Sequence, residues 1–172
     1  MNNNKFEVVL HNESKKIYNY LLKMLRNKED AEDILQETFI AFHKKMNSVK
    51  ESSYRSYLFR TAYNKALNFI KKRDTKNKLV TNYNEMEHFE DRPTESSENQ
   101  NELINNALAQ LKPNEALLIE LQYYQKMSYK QIAEVLETTP SAVDSKLVRA
   151  KKKLMKIITE QKKTQENKPT IV

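Results

Sequence analysis

Cysteine, glycine and tryptophan are all absent from the 172-residue sequence, and proline occurs only four times. Without cysteine there is neither a disulfide framework nor a thiolate metal site. The three histidines, His11, His43 and His88, stand far apart in the chain, so no metal centre is expected. Without glycine, phosphate-cradling loops, dinucleotide-binding turns and tight primed hairpins lose the residue that supplies positive φ or close backbone approach. Helices joined by polar turns remain. The opening segment lacks the apolar core of a secretory signal, and no apolar run approaches the roughly 20 residues of a membrane span. The expectation is a cytoplasmic chain that does not insert into a membrane. What is present is charge: 30 Lys and Arg against 23 Asp and Glu, a formal net +7. That predicts attraction to polyanions, although lysines on a solvated surface would give the same figure.

Apolar residues recur at three- and four-residue intervals from Lys5 to Asp74, which predicts three helices and excludes strands. The first carries Ile17, Tyr20, Leu21, Met24 and Leu25. Asn27 reads as an N-cap before the acidic turn Glu29, Asp30, and the second helix follows with Ala31, Ile34, Leu35, Phe39 and Phe42. A polar stretch, Asn47 to Ser53, precedes a third helix with Leu58, Ala62, Ala66, Phe69 and Ile70. Periodicity then fades into an acidic segment holding Glu85, Glu87, Glu90, Asp91, Glu95 and Glu98 against Arg92. It resumes at Leu103, stops before Pro113, and resumes again. The reading is all-α: two small helical domains, 1–74 and 99–160, joined by a flexible acidic linker, 75–98, with a disordered tail at 161–172. The C-terminal domain is expected to be a four-helix unit.

Within that unit, Ser128 and Gln131 form a capping box that starts a helix with Ile132, Ala133, Val135 and Leu136 inward. Thr139 can cap a second helix with Pro140 at its first position, where a missing N–H costs nothing. Two helix starts about eleven residues apart make a helix-turn-helix, with Val143 and Leu147 buried and Ser141, Asp144, Ser145, Val148 and Arg149 outward. Such a pair presents the second helix to a major groove. Lys146, Lys151, Lys152, Lys153 and Lys156 offer ammonium groups to phosphates.

In the N-terminal domain Asn64 lies among Tyr54, Arg55, Tyr57, Arg60, Lys65, Lys71, Lys72 and Arg73. Aromatics interleaved with cations suit unpaired nucleic acid, whose bases stack while cations hold the backbone. Composition leaves equally open that Tyr57 or Tyr63 belongs to the core. Asp33, Gln36 and Glu37 form a compact polar group near Phe39 and Phe42. No nucleophile, metal ligand or pocket former accompanies the carboxylates, so catalysis is not expected, and a protein-docking surface is favoured.

Taken together these residues resemble the extracytoplasmic-function sigma factors, the two-domain members of the sigma-70 family. DAEDILQETFIAF, Asp30 to Phe42, is similar to the family's polymerase-clamp-binding helix; YRSYLFRTAYNKALNFIKKR, Tyr54 to Arg73, to its minus-ten helix; and MSYKQIAEVLETTPSAVDSKLVRAKKKL, Met127 to Leu154, to its minus-thirty-five reader. The resemblance implies that Asp33, Gln36 and Glu37, with Phe39 and Phe42, dock the clamp helices of core RNA polymerase's largest subunit, the flap meeting the other domain. It implies that the Asn47 to Ser53 loop, Asn47 and Ser48 included, holds a flipped base. Tyr54, Arg55, Tyr57, Arg60, Asn64, Lys65, Lys71 and Lys72 would contact the melted strand. Asp144, Ser145, Val148 and Arg149, beside Ser141, would meet minus-thirty-five bases, with Tyr129, Lys130, Lys146 and Lys151 near phosphates. The acidic linker would run through polymerase channels otherwise used by RNA. An anti-sigma factor is an implied partner; a cofactor, a small-molecule substrate and enzymatic activity are not.

The sequence departs from the family where Tyr57 replaces a usual tryptophan, Asn68 a frequent aspartate, Glu137 a frequent glycine and Asp144 a common basic residue. An acid at 144 could accept a hydrogen bond from cytosine N4, or could instead cap its own helix. Two readings from other classes compete. A free-standing repressor would bind duplex tightly by itself as a symmetric dimer, and a helical adaptor would show no salt-dependent DNA affinity.

Overall fold

The computed structural model describes residues 2–79 and 98–166. Residues 80–97, most of the expected linker, and 167–172, the end of the expected tail, lie outside the described residues. All the regular structure among the described residues is helical: α1 (Asn2–Leu25), α2 (Lys28–Lys45), α3 (Tyr54–Leu79), α4 (Glu98–Ala109), α5 (Pro113–Ile119), α6 (Tyr129–Val135) and α7 (Pro140–Glu166), with short 3₁₀ turns at Met46–Ser48 and Glu51–Ser53. Two compact units result, one holding α1 to α3, the other α4, α5, α6 as far as Ala133, and α7. The third and the last helix run on past positions 74 and 160, where apolar periodicity stops.

In the first unit α1 ends on Arg26, whose φ of 55° lies in the left-handed region. Asn27 is extended, and its side-chain oxygen accepts the Asp30 N–H at 2.9 Å, satisfying an orphan donor of α2. Ile17, Leu21, Phe42, Leu58, Phe59, Ala62 and Ala66 are fully buried between the three helices. Phe42 is the hub of this core: its ring stacks on Phe6, 6.2 Å between centroids, meets Tyr54 edge-on at 5.0 Å and lies 6.0 Å from Tyr57.

The second unit buries Leu103, Ala107, Leu111, Leu117, Leu118, Leu121, Met127, Ile132, Val143, Leu147 and Ala150. Pro113 occupies the first position of α5. The Lys112 N–H donates to Glu115 Oε2 at 2.9 Å, and Lys153 on α7 donates to the same oxygen at 2.7 Å. α5 then widens into a π-turn at Glu120–Tyr124, within which the buried Glu120 accepts from Gln125 Nε2 at 2.9 Å. Lys126 and Glu137, with φ of 53° and 50°, end the segments before and after α6. Glycine's absence therefore does not remove left-handed residues: Arg26, Lys126 and Glu137 adopt that conformation at a cost of about 1 kcal/mol each.

Lys153 and the Lys112 N–H hold the Glu115 carboxyl below the usual carboxylate range. A depressed folded value means a contribution present in full above the ordinary glutamate pKa of about 4.3 and lost as pH falls through the lowered one. Both partners are partly exposed, so the contribution is at most about 1 kcal/mol. Urea unfolding of wild type and Glu115→Gln should differ by that amount at pH 7, and the difference should shrink as pH falls through the lowered pKa.

Candidate nucleic-acid interface

On α2 the exposed side chains Asp33, Gln36 and Glu37 share a face with Ile40, because offsets of three, four and seven residues return to one side of a helix. Ile40 is 55% exposed, an aliphatic surface in a polar surround that the apolar count alone does not single out. Phe39 and Phe42 correct the expectation from resemblance. They are 5% and 0% exposed, so these rings form the core beneath the docking face and cannot touch a partner. Glu37 Oε2 accepts Lys65 Nζ at 2.7 Å, so a residue expected at the polymerase and one expected at DNA are paired across α2 and α3.

The segment after α2 makes two single 3₁₀ turns around Val49 and Lys50. Asn47 and Ser48 are exposed, the Ser48 hydroxyl donating to the Lys45 carbonyl at 2.8 Å, and Lys5 pairs with Glu51 from α1. Two further expectations are corrected at the start of α3. Tyr54 donates to the Met46 carbonyl at 3.3 Å and packs on Phe42, which makes it a brace for this loop. The Arg55 Nε lies 3.1 Å from Glu13 Oε2 and is turned toward α1.

The outward face of α3 is made by Tyr57, Arg60, Asn64, Asn68, Lys71 and Lys72, again at helical spacing. Tyr57 is half-buried, one side toward Phe42 and the Arg60 guanidinium carbon 5.7 Å from its ring centroid. Asn64, Asn68, Lys71 and Lys72 are exposed. No acidic residue occurs from Tyr54 to Arg73, so every charge that this stretch of α3 itself contributes is positive. Tyr63 is core, 6% exposed, and burial pushes its hydroxyl pKa up.

The second unit contains the expected helix pair. The Ser128 N–H donates to Gln131 Oε1 at 2.9 Å and the Gln131 N–H to Ser128 Oγ at 3.3 Å, closing the box before α6. Thr139 Oγ1 accepts the Ala142 N–H at 3.2 Å, with Pro140 opening α7. Val143 and Leu147 are buried, whereas Ser141, Asp144, Ser145, Val148 and Arg149 all face solvent, Val148 at 57%. The Ser145 hydroxyl donates to the Ser141 carbonyl at 3.3 Å. Tyr129, Lys130, Lys146, Lys152 and Lys156 are exposed as well. Lys151 lies 5.2 Å over the Tyr123 ring and hydrogen-bonds with it, an interaction that raises its pKa. Lys153 is likewise engaged, its ammonium 2.7 Å from Glu115 Oε2, which ties it down inside the unit. Tyr123 and Tyr124, 43% and 48% exposed, were not legible as surface residues, because they continue an apolar run.

A helical unit whose third helix contributes only cations and polar groups to its outward face, and a second unit built on a capped helix-turn-helix, define a DNA-recognition protein of two modules. Residues 10–76 match the family model for sigma-70 region 2, and residues 101–154 the model for sigma-70 region 4. The chain belongs to the sigma-70 family, in its extracytoplasmic-function branch. It is 29% identical over 154 residues to the RNA polymerase sigma factor YlaC of Bacillus subtilis (strain 168), covering 83% of this chain and 86% of that one. With the ECF RNA polymerase sigma factor SigM of the same organism it shares 25% identity over 141 residues, 80% and 85% of the two chains. Its fold is that of the sigma factor RpoE from Bartonella quintana, solved in complex with the anti-sigma factor NepR: the TM-score is 0.74 at 18% identity, over 90% of this chain and 97% of that one. No described helix is long and apolar enough to cross a membrane.

Proposed function

We propose that this chain lends core RNA polymerase its promoter specificity at a defined regulon and catalyses nothing itself. The observation that carries the reading is the order of two matched modules, region 2 on the first unit and region 4 on the second. Asp33, Gln36, Glu37 and Ile40 dock the polymerase clamp helices. The Asn47 to Ser53 turns and the α3 face around Asn64 hold the melted minus-ten strand, where Arg60, Lys71 and Lys72 balance phosphate charge. α6 and α7 address the minus-thirty-five duplex, Ser141, Asp144, Ser145, Val148 and Arg149 at base edges and Tyr129, Lys130, Lys146 and Lys152 toward the backbone. The modules divide at 1–74 and 99–160, the acidic linker threads the polymerase, and the flap meets the second module. An anti-sigma factor covers these faces when transcription is off, and the chain works in the cytoplasm, where promoters are. Run-off transcription with purified core polymerase and genomic promoter fragments tests the proposal. Start-site-specific transcripts that need this chain are expected, and their absence on every fragment overturns it.

A further inference from the structure

Asp144 is the one acidic residue between Pro140 and Thr159, a stretch with six Lys and Arg. It is exposed, on the same edge of α7 as Ser141 and Val148, which stand three residues before and four after it. An acid there has two uses, at its own helix terminus or toward a partner, and the geometry separates them. Thr139 already caps α7, its Oγ1 taking the Ala142 N–H at 3.2 Å, and the Val143 N–H is held by the Thr139 carbonyl at 3.0 Å. Asp144 is the fifth residue of the helix, beyond the first turn in which orphan N–H groups and the dipole reward a carboxylate. Its charge has no such employment at the start of α7, and its pull on Lys151 further along the helix is the weakest of the influences on that lysine. Toward phosphates it is repulsive. The major groove offers a carboxylate two amine donors, cytosine N4 and adenine N6, and the acceptor N7 beside N6 repels an acid, which leaves cytosine; the group an exposed valine fits is the thymine methyl.

We infer that Asp144 and Val148 act together as base readers, Asp144 accepting from a cytosine N4 and Val148 covering a thymine methyl no more than two base steps away. Four residues of helix advance about 6 Å, against about 3.4 Å of rise per base step, which sets the separation. The inference rests on the reading of α7 as the upstream-element helix and adds to it the identity of two bases. The flanking cations, Lys146 and Lys152, supply the phosphate attraction that lets one carboxylate sit in the groove.

The test uses holoenzyme reconstituted from core polymerase and the full chain on promoters with a randomised upstream element, transcripts being sequenced to score each base. Wild type should favour cytosine at one position by about 5- to 100-fold and thymine within two steps of it. Asp144→Ala should flatten the cytosine preference. Asp144→Asn should move it toward adenine, because an amide offers the donor and acceptor that adenine pairs with. Deoxyuridine in place of the thymine should weaken wild type several-fold and leave Val148→Ala unaffected. Unchanged cytosine preference in both Asp144 variants, or a wild-type preference for another base beside the thymine, overturns the inference while leaving α7 as the upstream reader. A wild-type holoenzyme that transcribes with no preference anywhere in the upstream element overturns that underlying reading, and the inference with it.

Discussion

Phe42→Ala should leave the first unit unfolded or nearly so at 37 °C, while Ile40→Ala, two residues away on the same helix, should leave its stability within about 0.5 kcal/mol of wild type. Phe42 is fully buried and touches Phe6, Tyr54 and Tyr57, so truncation removes aromatic contacts from three directions and opens a cavity that rigid helices cannot close. Such losses cost about 3–5 kcal/mol, most of what a module this small holds in reserve. Ile40 is already more than half in water and contributes little to the core. Its effect should appear instead in the affinity for core polymerase, about tenfold weaker, because an aliphatic group amid Asp33, Gln36 and Glu37 has the anatomy of an interface centre with a polar rim. Guanidinium unfolding and a fluorescence titration with core polymerase, run on both variants, check the pair. Equal stability losses would mean that the division of α2 into core and docking faces is wrong.

Val143→Asp should abolish the folded second unit and leave the first with its own melting transition. Val143 is 0% exposed, in the first turns of α7, and a carboxylate placed there is cut off from water. Burying an unpaired charge costs several kcal/mol, comparable with the total stability of the unit. Because α7 carries both the buried stripe and the outward base-reading edge, holoenzyme made with this variant should lose dependence on the upstream element altogether. Calorimetry of the free chain should show one transition removed and the other kept. A uniform downward shift of both would argue that the units stabilise one another.

The contrast between Phe42 and Ile40 shows where sequence reading reaches and where it stops. Asn27, the Ser128–Gln131 box and the Thr139–Pro140 start are local: each joins a side chain to a backbone group three residues away, so the residue types suffice to find them. The cores of both units were legible for the same reason, since a stripe at helical spacing has to be buried. Which residue near a stripe is the surface one was not. The likeness to a clamp-binding helix pointed at Phe39 and Phe42, and only packing by α1 and α3 shows those rings closed off and Ile40 open. Tyr54 and Arg55 likewise read as free ligands until the Met46 carbonyl and Glu13 are brought to them by the fold.

By itself, then, the chain's order of residues determined its helical class, its division into two modules and its capped helix-turn-helix, because caps, periodicity and charge act over a few residues and do not depend on distant partners. Tertiary structure alone decided which charges are spent and which are open. Glu37 and Lys65, Glu115 and Lys153, and Lys151 and Tyr123 lie 28, 38 and 28 positions apart and neutralise or shield one another across helices. It also left Asp144 open to solvent, on the edge of α7 away from the buried Val143 and Leu147. Such pairings are contacts between surfaces, and surfaces exist only once the helices have packed.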